Sequence, residues 1–390
     1  MNYLFLKARL ELIRALKPFF PKAAYVARLE EASRSLRRYW ARPTQTIDLQ
    51  GFFAPAPEMQ TVQRPIDILI PVYNGIDIVP PCLDSLLKNT DLPFHIYMAD
   101  DASPDERIWP LLQKYQAAHP DKITVVKNEQ NSGIIKTLNR LISMTQNDFL
   151  VLNTDTELPP HWASRLFAPI FADERLAAVG LWSNAADKQT IYFGYEERPL
   201  PIPLQTADKQ AQAFAPRVVD TVPVLVSFCM AVSRKAANQI GLLDEAYGRG
   251  YYDETDWLFR AKKAGYSFAL VPNVFVYHKG TASFPSKQRR MLMERNAKIF
   301  ESRYPGAIKK MRRGRYDPQL QAVHFLMLVK CLRAQYKEFC LLPAPQATQV
   351  AFTWTREGEG YRYELTEDGA YEVLYSPLPP ERLDALTRPN

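Results

Sequence analysis

Between residues 66 and 172 the chain repeats one pattern: a short apolar run, a polar turn, then a longer stretch with apolar residues at helical spacing. Apolar runs of this kind, bounded by polar residues, suit strands buried on both faces. Ile66–Val72 (IDILIPV), Phe94–Ala99, Ile123–Lys127 and Phe149–Leu152 are predicted as strands. Val79–Lys88, Glu106–Ala118, Ile134–Thr145 and Trp162–Ala172 are predicted as helices. Strand and helix alternating at short intervals imply an α/β fold, with a mostly parallel central sheet wound in right-handed crossovers and flanked by helices.

Beyond residue 172 the pattern loosens. A short strand is expected at Ala177–Leu181, irregular chain over 182–220, and a strand at Val222–Val232. Helices are expected at Arg234–Ile240 and Glu254–Ala264, and a strand within Ser267–Val276. Residues 286–315 are strongly basic and begin as helix, 318–342 read as another helix, and Thr348–Tyr375 as a small antiparallel meander turning at EGEG and EDG. Ahead of the main pattern, residues 1–40 form basic amphipathic helices broken by Pro18 and Pro21, and 41–64 read as a linker. Three regions are expected: 1–64, a basic helical extension and linker; 65–285, the main domain; and 286–390, a basic helical and β-meander region, which is a small α+β appendage.

Composition narrows the function classes little. Hydrophobic content of 47% and charged content of 23% are ordinary for a soluble globular chain. A net charge of +7 permits an anionic substrate, a membrane surface or nucleic acid, and selects none of them. Lys and Arg are spread widely without a nucleic-acid motif, so no nucleic-acid partner is expected. Cys82, Cys229, Cys331 and Cys340 form no CxxC pair and read as thiols of a reducing compartment. No apolar run approaches the roughly 18 residues of a membrane span, and no secretory signal is read at the N-terminus. GxGxxG after the first strand and GxxxxGK[ST] are both missing, which argues against a nicotinamide fold and a P-loop.

The chemistry gathers at strand ends. Tyr73–Asn74, Asp100–Asp101, Asp155 and His278 all follow predicted strands, and open α/β sheets bind ligands at that rim. Phe149–Trp162 (FLVLNTDTELPPHW) carries the strongest signal. A carboxylate such as Asp155 can hold Mg²⁺ or Mn²⁺ against a diphosphate, since hard oxygen ligands suit these ions. Neutral His278 can supply a second ligand. A metal would also offset the repulsion between a carboxylate rim and an anionic ligand. Asp253, Glu254 and Asp256 open a helix, where acidic residues also favour the macrodipole for purely structural reasons. Lys136 and Arg140 can be a solvated helix face.

These segments together resemble glycosyltransferase family 2, whose members have the GT-A (nucleotide-diphospho-sugar transferase) fold. IDILIPVYN is similar to its first strand and turn, MADDASPD to its second-strand motif, and NEQNSGIIKTLNRLI to its Asn/Gly segment. VLNTDTELPPHW resembles its DxD strand. SFCMAVSRKAANQIGLLDEAY and GYYDETDWLFRAKKAGYSFALVPNVFVYHKGTASF resemble its acceptor-side half. The resemblance spans about 66–284, in the family's order. It implies that Pro71, Tyr73 and Asn74 border the nucleotide base and that Asp100 contacts base or ribose with Asp101 beside it. Gly133 and Lys136 would line the nucleotide pocket. Asp155 would bind metal and diphosphate, with His278 completing the metal site. Asp253 or Glu254 would match the Glu-Asp pair that supplies the general base, and Asp256 follows it.

Two departures stand out. The DxD position reads Asn153-Thr154-Asp155, so its first carboxylate is an amide, still able to hydrogen-bond a hydroxyl of the donor. The acidic pair is swapped to Asp253-Glu254, which leaves open which one is the base. The QxxRW signature of processive synthases is missing, which argues for transfer of one sugar. The expected function is thus a Mn²⁺- or Mg²⁺-dependent inverting transferase. It moves one sugar from a UDP-, GDP- or dTDP-sugar to a hydroxyl of a glycan or lipid-linked acceptor, in bacterial surface glycan synthesis. The expected location is cytoplasmic, with peripheral docking on the anionic inner face of the membrane. The alternatives are a non-catalytic relative that binds nucleotide or sugar, and a basic nucleic-acid-binding protein.

Overall fold

The structure is a computed structural model. It describes residues 47–48, 62–186, 189–190, 203–214, 218–220, 222–280, 286–314, 320, 323, 327, 349–357, 360–367 and 370–376. The helices expected within 1–40 lie outside the described residues, and so does nearly all of 318–342. The chain divides into two compact units, residues 51–346 and residues 1–50 with 347–390. The second unit begins with a two-residue strand, β1 (Ile47–Asp48).

The larger unit follows the predicted alternation closely. β2 (Ile66–Val72), α1 (Val79–Asn89), β3 (Phe94–Asp100), α2 (Ile108–Ala118), β4 (Ile123–Lys127), α3 (Ile134–Met144), β5 (Asp148–Leu152), a short β6 (Thr156–Glu157) and α4 (Trp162–Ala172) come in order. There follow β7 (Leu176–Ser183), α5 (Leu204–Ala211), β8 (Cys229–Val232), α6 (Arg234–Ile240), α7 (Asp253–Lys263), β9 (Ser267–His278), α8 (Ser286–Arg303) and α9 (Ala307–Gly314). One eight-stranded sheet runs β4-β3-β2-β5-β8-β7-β9-β6. β4, β3, β2 and β5 are mutually parallel, as are β7 and β9. β8 runs antiparallel to both its neighbours, and β6 antiparallel to β9.

Burial explains which strands the apolar pattern revealed. Every residue of β5 and of β7 is buried, as expected for strands covered on both faces. Ile68, Ile70, Leu150, Leu152, Trp162 and Phe167 form part of a single core under the helices. The strand expected over Val222–Val232 shrinks to β8. Val222, Val224, Leu225 and Phe228 are buried as a strand would bury them. Their backbone pairing is irregular instead: Pro223 has no N–H, Val226 N–H donates to the Gln189 side chain, and Phe228 O accepts from Asn153 N. Residues 204–211, inside the stretch expected to be irregular, form α5. Its Asp208 accepts two hydrogen bonds from the Arg165 guanidinium. Pro71 is compatible with a central strand because β5 pairs only with Ile66–Leu69, so no ladder bond is lost on that side.

In the second unit β10 (Gln349–Glu357), β11 (Gly360–Glu367) and β12 (Ala370–Ser376) form the expected meander. The expected turns between these strands, at EGEG and EDG, fall on residues 358–359 and 368–369, outside the described residues. β1, within the stretch read as linker, adds an antiparallel edge to β10 at Ile47↔Val350.

Candidate active site

The carboxyl ends of β2 and β3 build one interlocked rim. Asn74 leaves β2 in a left-handed conformation (φ 59), which a short amide side chain tolerates. Its backbone N–H donates to Ser103 Oγ at 2.8 Å, and its Oδ1 accepts from Asp105 N at 3.3 Å. Ser103 N in turn donates to Asp100 Oδ1 at 2.9 Å. Tyr73 beside it is half exposed on the rim. Asp100 is buried, with Lys127 Nζ 4.0 Å from Oδ2. Asp101 points elsewhere. It accepts from Asn128 Nδ2, Ser132 N and Gly133 N at 2.8–2.9 Å, so it shapes the loop between β4 and α3. Gly133 ends that loop with φ 82, a conformation open to glycine at little cost. Lys136, one turn into α3, lies 3.7 Å from Glu245; both side chains are largely solvated, so the pair holds weakly.

Asp155 and His278 lie side by side. β6 pairs with the end of β9 in the register Thr156↔His278, and Lys279 N donates to Asp155 O at 2.8 Å. This brings His278 Nε2 to 3.2 Å from Asp155 Oδ1, with both side chains largely buried. The imidazole is fixed on every side. Its Nδ1 is hydrogen-bonded to Ala185 O, its ring stacks on Phe228 at 4.7 Å, and its backbone exchanges two 2.8 Å bonds with the Asn184 side chain. With Nδ1–H donated to a carbonyl, Nε2 of the neutral ring aims a lone pair at a carboxylate oxygen. Two lone pairs at that distance repel unless a proton or a cation stands between them. An imidazole anchored through its other nitrogen and facing a carboxylate has the chemistry of a metal-ligand pair. Among the described residues no third His, Cys, Asp or Glu joins it. Asn153, two residues before Asp155, is held by its backbone, its N–H on Phe228 O and its carbonyl accepting from Thr156 Oγ1.

The three acidic residues of α7 separate into two roles. Asp253 is buried, and that burial pushes its carboxyl above the usual range. Hydrogen bonds from its own N–H, from the Glu254 side chain and from the Glu254 N–H work against the rise. Asp256, 1% exposed, faces the other way. Its Oδ1 accepts from Tyr247 OH at 3.1 Å, Arg303 Nη1 at 3.2 Å and Tyr304 OH at 3.2 Å, and its Oδ2 from Arg260 Nε at 2.9 Å. These four donors tie α7 to α8 and to the loop before α7.

Sequence reasoning passed over several residues that shape this region. Gln189, fully buried, bridges Leu181 O and Val226 N. Asn139 brackets Leu243 with two 2.9 Å bonds, and Asn296 reaches the loop that leads into α7. Only Asn296 left a sequence signal: it interrupts the apolar stripe Leu292, Ile299, Phe300 of α8 at helical spacing. Cys82 and Cys229 are buried and free, and burial pushes the Cys82 thiol up to about 12.

Residues 67–241 match the family model described as glycosyl transferase family 2. The chain matches no curated protein sequence. Among solved structures it is similar to GalNAc-T7 with UDP, GalNAc and Mn²⁺, at 17% identity and TM-score 0.45, over 77% of this chain and 65% of that one. It is similar to the mannosyltransferase PcManGT of Pyrobaculum calidifontis in complex with GDP-Man and Mn²⁺, at 15% identity and TM-score 0.47, over 85% of this chain and 88% of that one. It is also similar to S. aureus TarS 1-349, at 15% identity and TM-score 0.40, over 71% and 82%. The match of 67–241 runs from β2 to the end of α6, so it takes in the rim of β2 and β3 and the strand before Asp155. Residues 67–241 thus match a glycosyl transferase family 2 domain, and the chain spans 65% of the length of GalNAc-T7.

Proposed function

We propose that the chain moves one sugar from a nucleotide-sugar donor to a hydroxyl acceptor with inversion, in a metal-dependent reaction. The observation that carries this reading is the pair of Asp155 Oδ1 and His278 Nε2 at 3.2 Å, with His278 anchored through Nδ1. These two residues would hold Mn²⁺ or Mg²⁺, which when bound neutralises the diphosphate and the charge that develops on the departing nucleoside diphosphate. Tyr73, Asn74 and Asp100 lie on the rim where the base and ribose would rest, with Pro71 at the end of β2 beneath them. Gly133 and Lys136 line the neighbouring loop and helix start, where Lys136 can exchange its weak contact with Glu245 for a phosphate. Asn153 replaces a carboxylate and keeps a group able to bond a donor hydroxyl.

The acceptor hydroxyl would lose its proton to the Asp253–Glu254 pair as it attacks the anomeric carbon from the face opposite the leaving group. Glu254 takes the proton, while Asp253, buried and bonded to N–H groups at the start of α7, orients it. The acceptor is a glycan or a lipid-linked glycan of the bacterial surface. Exposed cations on α8 and α9, among them Arg290, Lys298, Lys309, Lys310 and Arg312, supply charge for peripheral docking on the anionic inner face of the cytoplasmic membrane. Among the described residues no helix is long and apolar enough to cross a membrane.

A panel of UDP-, GDP- and dTDP-sugars tests the reading. Nucleoside diphosphate release should require Mn²⁺ or Mg²⁺ for at least one donor. Donor binding without release, under all conditions and with acceptor glycans present, would identify a non-catalytic sugar-nucleotide binder instead.

A further inference from the structure

The family match ends at Gly241, yet the acidic pair sits at 253–254, after a loop of unusual backbone. Gly248 and Gly250 have positive φ, and Tyr251 and Tyr252 follow with φ 69 and 72. Two consecutive tyrosines in the left-handed region are strained and persist only when their surroundings fix them. The fixing element is α8. Asn296, fully buried, aims its amide nitrogen at three backbone carbonyls, Tyr247 O and Gly250 O at 2.8 Å and Tyr251 O at 3.0 Å. Two N–H bonds serve three acceptors, so the amide is used to its full donor capacity. Arg295 completes the grip. Its Nη1 donates to Asn296 Oδ1 at 2.7 Å, which sets the amide's orientation, and its Nη2 donates to Ala246 O at 3.1 Å. Phe300 packs on the Tyr252 ring at 5.3 Å.

The gripped loop also contacts both halves of the site. A Cβ placed on Gly250 would lie 3.3 Å from Ile134 Cγ2, at the start of α3, and 4.0 Å from Asp253 Oδ1. A Cβ placed on Gly133 would lie 3.7 Å from Gly248 O. The loop therefore fills the space between the Gly133 turn and the acidic pair, with no room at Gly250 for adjustment.

We propose that Asn296 is a positioning residue for sugar transfer: through Tyr247, Gly250 and Tyr251 it sets the orientation of the Asp253–Glu254 pair relative to the Gly133 loop. This rests on the reading of that pair as the proton acceptor. It assigns part of the active-site geometry to the basic C-terminal helix, outside the family match.

The test uses the full chain, a hydrolysed nucleotide-sugar donor from the panel above, and Mn²⁺. Misplacing a reacting group by about 1 Å can cost up to about 10²-fold. Asn296→Ala should therefore lower kcat about tenfold or more and leave the donor KM within about twofold. Asn296→Asp keeps the shape, turns acceptor oxygens toward three carbonyls, and should lose at least as much. In a Glu254→Gln background, Asn296→Ala should add almost nothing, because groups acting as one unit are not additive. Trypsin should cut faster after Arg249, which is exposed beside the loop. If Asn296→Ala does not fold, Arg295→Met removes only the orienting contacts and should show a smaller kcat loss at constant KM. Parental kcat in the folded variants overturns the proposal, as does an undiminished further loss in the Glu254→Gln background. Failure of the underlying reading has its own signature, parental kcat in both Asp253→Asn and Glu254→Gln.

Discussion

Asp256 is the residue where sequence and structure point to different roles, and one substitution decides between them. Asp256→Asn keeps the side-chain shape and removes the charge. The carboxylate is 1% exposed and accepts from Tyr247, Tyr304, Arg303 and Arg260 at 2.9–3.2 Å. Burial and the Asp256 carboxylate together push the Tyr304 phenol up to about 12, so its O–H remains a donor at neutral pH. Breaking a buried pair typically costs about 3–5 kcal/mol, because an uncompensated charge remains. Here both arginines reach water, with Arg260 29% and Arg303 35% exposed at the side chain, and they recover part of their hydration. The tyrosines do not, and one of them would face the new amide N–H₂. A loss of about 3 kcal/mol is expected, or about 6–12 °C in Tm for a unit of this size. Turnover measured well below the new Tm should fall less than about tenfold, through looser packing of α7 on α8. Differential scanning calorimetry and donor hydrolysis on the same preparation give both numbers. An unchanged Tm with turnover reduced about 10²-fold or more would refute the reasoning, since it would make Asp256 the group that meets substrate.

Further outcomes follow from the rest of the site. Asp155→Ala should cost about 10²-fold or more in turnover, and a chelator should do the same to the parent; full activity in excess EDTA would remove the metal from the mechanism. Glu254→Gln should lose about 10²- to 10⁴-fold in kcat while still binding donor, as measured by nucleoside diphosphate titration. Burial raises the Asp253 carboxyl, so its folded-state pKa exceeds the unfolded one; the stability this gives is present at low pH and lost as pH rises through the folded value. The Tm advantage of Asp253→Asn over the parent should accordingly widen between about pH 4 and about pH 8, and a constant difference would mean the carboxyl is not desolvated. The intact chain should co-sediment with anionic vesicles at low salt and release as salt rises, with less binding after deletion of residues 1–20; failure to co-sediment at low salt would dismiss the membrane surface as a partner.

What the sequence made legible follows from where each residue's partners lie. β2 and β5 could be read because both faces of those strands are buried, and double burial writes itself as an unbroken apolar run; β3 and the edge strand β4 are only partly buried and showed through their apolar residues between helices. The end of that run located Asp155, and the end of β9 located His278. β6 could not be read, since two residues carry no periodicity, although its pairing with β9 is what brings those two side chains together. Val222–Phe228 misled for a related reason: the segment is buried like a strand, but its N–H groups find a distant glutamine side chain and a proline leaves a gap. Apolar pattern reports burial, and only the partners of the backbone decide whether burial means a strand.

The acidic cluster shows the same limit in charged form. Three carboxylates at 253, 254 and 256 share one helix start, and the macrodipole favours all of them alike. Their roles separate only through residues far along the chain. Arg303 and Tyr304, 47 and 48 residues downstream, engage Asp256, and Asn296, 46 residues from Gly250, shapes the approach to Asp253. Arg260, four residues after Asp256, was the one local hint, because an acidic residue with a basic partner one turn later is already committed to a pair. The Asp256 carboxylate has its oxygens committed to four donors, whereas Asp253 lies buried beside a second carboxyl. The partners that set Asp256 apart from its two neighbours therefore sit on and just after a C-terminal helix whose sequence announces only its positive charge.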